Sequence, residues 1–275
     1  MFITYGYGGG RRLSIDVEPE PAVARIVSRR GAWSDGVFAN SRQQDAHEAF
    51  GRLASACDGV DWHMLRALPL PEEVMTTLAR NEGTNADRYS TPFWGALGGV
   101  QKSTVICNAC HSTASMYEMW HSLSLSLPKT RCSIEELVSD FFKREPLSDP
   151  NDRCLHERCR TSNQRDKFDQ VIRWPSVLII HLKRWEIISI WPFKQRKVQT
   201  QVLYETMFRV DVAQSAYHLR GVVQHHGDAG GGHYTSMVRA PDNFWYFCDD
   251  ARSPQRVSTE TALAAQAMIL VYERT

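Results

Sequence analysis

The sequence predicts an α+β fold, with helices early in the chain and an antiparallel sheet late, and three observations predict it. In "SRQQDAHEAFGRLASACDG", Ala46, Phe50, Leu53 and Cys57 recur at helical spacing behind Ser41 as a possible cap, so this stretch reads as an amphipathic helix. "CSIEELVSDFF" carries Ser133 and Glu136 as an S-x-x-E capping box ahead of an apolar stripe, which marks a second helix. Afterwards come five short runs rich in branched and aromatic residues, "SVLIIHLKRW" (176–185), "YHLRGVVQH" (217–225), "HYTSMVRA" (233–240), "FWYFC" (244–248) and "MILVYER" (268–274), each with the make-up of a strand. Before the first helix, "GYGGG" neither follows a strand nor opens a helix, so residues 1–12 read as a disordered tail instead of a phosphate cradle.

Composition narrows the function classes. A chain of 275 residues with 43% hydrophobic and 23% charged content can bury a substantial core. Lysine plus arginine (32) nearly balance aspartate plus glutamate (31), so no global field recruits nucleic acid or an anionic membrane. The apolar run "SVLII" is far shorter than the ~20 residues of a membrane span. Seven cysteines, two of them in C-x-x-C, point to reduced thiols and metal in an intracellular, reducing compartment.

Catalytic chemistry is suggested by "GGGHYTSMV" (230–238). Gly230, Gly231 and Gly232 let the backbone turn sharply and leave room for an extended ligand beside His233. A hairpin through "APDN" then returns "FWYFCDD", so that Asp249 and Asp250 come back beside the imidazole. A carboxylate that orients a histidine, which in turn takes a proton from a serine or cysteine, is the working part of a nucleophilic hydrolase. A separate metal reading rests on Cys107 and Cys110, whose C-x-x-C spacing lets two thiolates reach one tetrahedral zinc. The second pair lies in "DRCLHERC", which offers either Cys154 with Cys159 or His156 with Cys159.

Four blocks resemble, in order and spacing, the signature blocks of the ubiquitin-specific proteases, which are papain-like cysteine deubiquitinases. They are "QQDAHE" (43–48); "FWGALGG" with "ICNACHS" and "HSLSLSLP" (93–128); "WPSVLIIHLKRW" (174–185); and "GVVQHHGDAGGGHYTSMV" through "WYFCDD" and "ILVYER". The resemblance implies one catalytic domain over residues 13–275, with thumb helices in 13–92, zinc-ribbon fingers in 93–205 and an antiparallel palm sheet in 206–275. It implies His233 as general base, Asp249 as third triad member and Asp250 as a neighbouring polar group that helps hold the transition state. Ubiquitin and ubiquitinated proteins are the implied partners of a monomer, and Asp45 and Glu48, three apart on one helical face, would pair with arginines of the ubiquitin tail. Counting back from "KFDQVIRWP", the second metal pair of the family falls on His156 and Cys159, with Cys154 as the spare fourth ligand of a structural zinc; no catalytic cofactor is implied. "LSLSLP" and "VVQHHGD" are also similar to the mitochondrial outer-membrane branch, which would move the expected location from the cytoplasm to that membrane if an anchor lay upstream.

One part of the pattern is missing. The family nucleophile stands in a box resembling G-N-T-C-Y-x-N ahead of the "QQDAHE" block, and this sequence has no such box. Cys57 follows the block and lies on an apolar stripe, Cys132 precedes a helix cap, and Cys248 is inside the aromatic strand. The 275-residue chain is therefore expected to be inactive, lacking the first thumb segment. It reads as a fragment or incomplete gene model in preference to a descendant that has lost catalysis and only binds ubiquitin.

Overall fold

The computed structural model describes residues 45–51, 72, 74, 76, 77, 92–147, 154, 156, 159, 164–210, 215–228, 231–250 and 252–275. The expected tail at 1–12, the Ser41 cap, Cys57 and Gly230 lie outside the described residues.

Two sheets carry the fold. In the smaller one, strands β1 (Gly99–Cys107), β2 (Thr113–Trp120), β5 (Glu145–Leu147) and β6 (Arg165–Arg173) run antiparallel in the order β2-β1-β6-β5. The larger sheet has eight strands: β3 (Leu123–Ser126), β7 (Val177–Lys183), β11 (Met207–Val210), β12 (Ser215–Asp228), β13 (Gly231–Arg239), β14 (Trp245–Cys248), β15 (Gln255–Val257) and β16 (Ala267–Arg274). Its order is β15-β14-β13-β12-β16-β7-β3, with β11 on β12, and every pair is antiparallel except β3 with β7. Two short pairs complete the strands, parallel β4 (Cys132–Ser133) with β10 (Val202–Leu203) and the hairpin β8 (Trp185–Ser189) with β9 (Lys194–Lys197).

All five late strands form close to their expected ends. The order of helices and strands is corrected, because β1 to β4 precede the second expected helix. β1 escapes a reading by alternation because its buried positions run almost continuously, and β2 because its first half is exposed on both faces. The stretch expected to make the fingers is also divided: β3 and β7 join the large sheet.

The second expected helix is α2 (Ile134–Phe141), and it starts at the capping box: the Glu136 N–H donates to Ser133 Oγ at 3.2 Å and the Ser133 N–H donates to Glu136 Oε2 at 2.8 Å. Its buried Ile134, Leu137 and Val138 pack with Leu178, Ile180 and Leu182, the alternate positions of β7. Across the sheet the same core takes Leu270 and Tyr272 from β16 and Tyr217, Leu219 and Val222 from β12. The change from odd to even positions in β12 follows from a bulge, since Leu219 pairs with Tyr272 and Gly221 with Val271, leaving Arg220 as the extra residue. Two further helices are short, α1 (Pro92–Leu97) and α3 (Thr259–Leu263). Arg173 closes the C-terminal end of α1 by donating to the carbonyls of Trp94, Gly95 and Gly98.

His181 lies between Ile180 and Leu182 and so faces away from that core. Its ring stacks on His47 from the helical segment 46–51, with centroids 3.9 Å apart and planes 7° from parallel. A serine from β3 or its entry fixes one nitrogen of each ring: Ser122 Oγ lies 3.0 Å from His47 Nε2, and Ser124 Oγ lies 3.1 Å from His181 Nδ1. This polar stack joins the helical segment to the sheet. Burial, then the neighbouring His47, pushes His181 down to about 4, and burial also lowers His47. The Asp45 carboxylate opposes both shifts, whereas Lys183 adds to them.

Since the folded pKa of His181 lies below its ordinary 6.5, the unfolded chain binds the extra proton first as the pH falls. Stability is unaffected above that value and declines between 6.5 and about 4. Urea unfolding at neutral pH and near pH 4 should show His181→Asn losing less stability on acidification than the parent, by on the order of 2 kcal/mol. Equal losses in the two proteins would show that the stack does not set the acid limit.

Candidate active site and thiol cluster

The site is built on the pairing of β12 with β13. His226 is the register partner of His233, and Gly227 that of Gly232. At Gly232 the two chains approach so closely that a Cβ would stand 2.0 Å from the His226 carbonyl oxygen and 2.5 Å from His225 Nε2. Gly227, with φ of 109°, completes the turn region in a conformation that favours glycine. Gly232 and Gly227 thus let backbone approach backbone beside His233.

Beyond His233, β13 returns through the turn at residues 240–244, where the Asn243 N–H donates to the Ala240 carbonyl at 2.9 Å and the Ala240 N–H donates to the Phe244 carbonyl at 3.0 Å. The ladder with β14 ends at Ser236 opposite Cys248. The chain then curls, with Asp250 at φ of 46°, and delivers Asp249 to the imidazole. His233 Nε2–H donates to Asp249 Oδ1 at 2.5 Å, while His233 Nδ1 lies 4.0 Å from Asp250 Oδ2. Arg252, which sequence reading missed, donates from Nη1 to the other oxygen of Asp249 at 2.7 Å. These two cationic or proton-donating partners, His233 first, hold the Asp249 carboxyl below its ordinary range. The ring is half exposed, at 46%, and Asp249 is largely covered, at 14%. The arrangement can keep Asp249 ionised, fix the imidazole by Nε2 and leave Nδ1 to exchange a proton with a bound group.

Asp45 and Glu48 meet at the start of the helical segment. Asp45 is the cap of segment 46–51, and its Oδ1 accepts the N–H groups of His47 at 2.8 Å and Glu48 at 3.0 Å. Glu48 lies on the exposed side. The Tyr234 hydroxyl, next along β13 from His233, is pushed up to about 12 by burial and by the Asp45 carboxylate. The cap of "QQDAHE" is thus electrostatically tied to β13.

The six described cysteines form no disulfide. Four of them, Cys107, Cys110, Cys154 and Cys159, bring their sulfurs within 4.8 Å of one another. Cys107 Sγ is 3.8 Å from Cys159 Sγ, and Cys110 Sγ is 3.7 Å from Cys154 Sγ. His156, the residue that counting placed in the metal set, is exposed and outside this cluster; its carbonyl instead accepts the Cys159 N–H at 2.9 Å. Of the two alternatives that the spacing left open, the cluster takes Cys154. On the other side, the His111 N–H donates to the Cys107 carbonyl at 2.9 Å, and His111 takes a φ of 57° to close the C-x-x-C turn. Backbone N–H groups of Cys110 and Ala109 lower the Cys107 thiol to about 6, and the Ser112 hydroxyl and N–H lower Cys110. The remaining described thiols behave oppositely: burial pushes both Cys132 and Cys248 up.

Comparison with known proteins follows this geometry. The family model "Ubiquitin carboxyl-terminal hydrolase" matches residues 15–272. "Ubiquitin carboxyl-terminal hydrolase 23" of Arabidopsis thaliana is 29% identical over 245 residues, which is 86% of this chain and 26% of that protein. "Ubiquitin carboxyl-terminal hydrolase 2" of Gallus gallus is 26% identical over 256 residues, covering 86% of this chain and 70% of the relative. Among solved structures, a SAGA DUB module bound to monoubiquitin aligns with a TM-score of 0.70 at 24% identity, over 89% of this chain and 51% of that one. A yeast SAGA DUB module aligns with a TM-score of 0.68 at 24% identity, over 84% of this chain and 51% of the other. The chain spans about half the length of these structures and about a quarter of the Arabidopsis relative. With the family matched over nearly its whole length, the chain belongs to the ubiquitin carboxyl-terminal hydrolases of the ubiquitin-specific protease type.

Proposed function

We propose that this chain supplies the proton-transfer half of a cysteine-type deubiquitinase, which cleaves the peptide or isopeptide bond after the ubiquitin C-terminus. The His233–Asp249 pair carries this reading. A thiol brought to Nδ1 would lose its proton to His233 and attack the carbonyl of the terminal glycine; the imidazolium would then protonate the leaving amine. Water would release ubiquitin from the acyl-enzyme by the reverse proton route. Asp249 steadies the imidazolium throughout, and Asp250 is the polar group beside the reacting centre. Glu48, from the exposed side of the capped segment, and Asp45 would receive the arginines of the ubiquitin tail. Ubiquitin and its conjugates are the partners, and a reducing compartment such as the cytoplasm suits the thiols. Among the described residues no helix is long and apolar enough to cross a membrane.

Among the described cysteines none is assigned as the nucleophile. Four gather in the thiol cluster, and Cys132 and Cys248 have thiols made less acidic by burial. This favours a second reading, in which the 275 residues by themselves bind ubiquitin without hydrolysing it. The thiol cluster would hold a structural zinc through Cys107, Cys110, Cys154 and Cys159. A tetrahedron with Zn–S arms of about 2.3 Å has edges of about 3.8 Å, and the 3.8 and 3.7 Å sulfur separations fit it. Such an ion would cross-link the β1–β2 turn to the segment ahead of β6.

Elemental analysis of reduced protein should find zinc in a His156→Ala variant and a loss of it in Cys154→Ser. Retention in both, or zinc lost only with His156, would refute the four-thiolate assignment. For catalysis, the chain should bind monoubiquitin yet leave an electrophilic ubiquitin probe unlabelled. Fusion to a segment bearing the family cysteine box should restore cleavage, and His233→Ala should then reduce it by about 10²–10⁴-fold, with Asp249→Asn less damaging. Probe labelling of the unfused chain at Cys57, Cys132 or Cys248 would sink the account, as would cleavage that survives His233→Ala.

A further inference from the structure

The five most exposed large hydrophobic side chains among the described residues sit together in the β8–β9 hairpin: Trp191 at 92%, Ile190 at 83%, Phe193 at 62%, Ile187 at 58% and Ile188 at 52%. Ile188 is the extra residue of a bulge, since Ile187 pairs with Gln195 and Ser189 with Lys194, so β8 ends in two adjacent exposed isoleucines, and Ile190, Trp191 and Phe193 surround the turn. A protein groove would cover one side of such a hairpin. A lipid layer covers every side.

Charge selects the kind of surface. Residues 183–198 carry five cations, Lys183, Arg184, Lys194, Arg196 and Lys197, against the single acid Glu186. Arg184 is buried at the root, where it donates to the carbonyls of Ala267, Val198 and Thr200. Arg196 pairs with Glu186 across the hairpin, and Lys197 donates to the carbonyls of His225 and Gly227. The apolar tip is therefore held on a braced root, with Lys194 exposed beside the tip and Lys183 exposed at the root. Aromatic and branched side chains ahead of lysines match the boundary between acyl chains and anionic headgroups.

We infer that the β8–β9 hairpin is a membrane wedge, which inserts Ile190, Trp191 and Phe193 into the interfacial layer of an anionic lipid bilayer. The root fixes the direction of the consequence. Trp185 of β8 packs edge-on against His225 at 5.4 Å, and the next residue of β12, His226, is the partner of His233. An inserted hairpin holds the His233 rim close to the lipid surface, so that, on the deubiquitinase reading above, the favoured conjugates are those carried by membrane-bound proteins.

Flotation of the full chain with vesicles of phosphatidylcholine, with and without phosphatidylserine, tests the wedge in the absence of ubiquitin, so its failure is separate from failure of the enzymatic reading. The parent should float with the anionic vesicles. A variant carrying Ile190→Ser, Trp191→Ser and Phe193→Ser should bind them at least about tenfold more weakly, and Lys194→Glu should weaken binding several-fold, with melting temperature and monoubiquitin affinity unchanged in both. Failure of the parent to float, or full binding by the triple variant, overturns the inference. Equal binding to neutral vesicles overturns the anionic assignment. Loss of monoubiquitin affinity in the triple variant, with vesicles ignored by the parent, would assign the tip to ubiquitin, and a dimer that the variant dissociates would assign it to a second copy.

Discussion

The backbone ladder of β12 is the constraint on which the rest of the structure depends. This fourteen-residue strand holds β13 on one edge and β16 on the other, and it accepts β11 ahead of β13. A slip of one residue against β13 would turn His233 to the opposite face and away from Asp249. Such a slip is opposed by sterics at Gly232, where nothing larger than hydrogen fits between the chains, and by the core side chains on the β16 side. The bulge at Arg220 lets one strand serve both demands, shifting the parity of its buried positions without breaking the sheet.

Polar groups, not only apolar packing, join the parts around that strand. Arg184 is 1% exposed and its charge is met by three backbone carbonyls, which ties the end of β7 to the start of β16 and to the segment after β9. Arg173 does the same for the end of α1. Buried cations of this kind add less net stability than an apolar substitute of the same shape could, but losing the guanidinium would leave several buried carbonyls unpaired. They therefore specify where loops dock. The stacked His47 and His181, each held by a serine, work similarly at the helical segment, and there the neutral state of the rings is a condition of the contact.

At the far end of the small sheet, four thiols converge from two turns. The local turns set each pair: His111 in a left-handed conformation closes the C-x-x-C turn, and the Cys159 N–H closes the other on His156. The antiparallel pairing of β1 with β6, Cys107 opposite Arg165, brings the two turns together. A reactive role for Cys107 is not required to explain its lowered pKa, because the same N–H groups that favour a thiolate also prepare it as a metal ligand.

The amino-acid sequence by itself determined the elements whose signals are local. The capping box at Ser133 and Glu136 and the hairpin that returns Asp249 to His233 rest on contacts between near neighbours, and the five late strands carry their signal in their own branched and aromatic residues. Its motif order also declared the family. Tertiary structure alone decided the rest. Cys154 and not His156 joins the thiols of the C-x-x-C turn, and the pairing of β1 with β6 is what brings the two turns together. The strands β1 and β2 lacked alternation because their burial is set by sheet partners and packing distant in sequence, and the stack of His47 on His181 joins residues with no local link at all. Spacing along a chain encodes what a few residues can satisfy among themselves; contacts that close long loops are chosen by the packing of the whole.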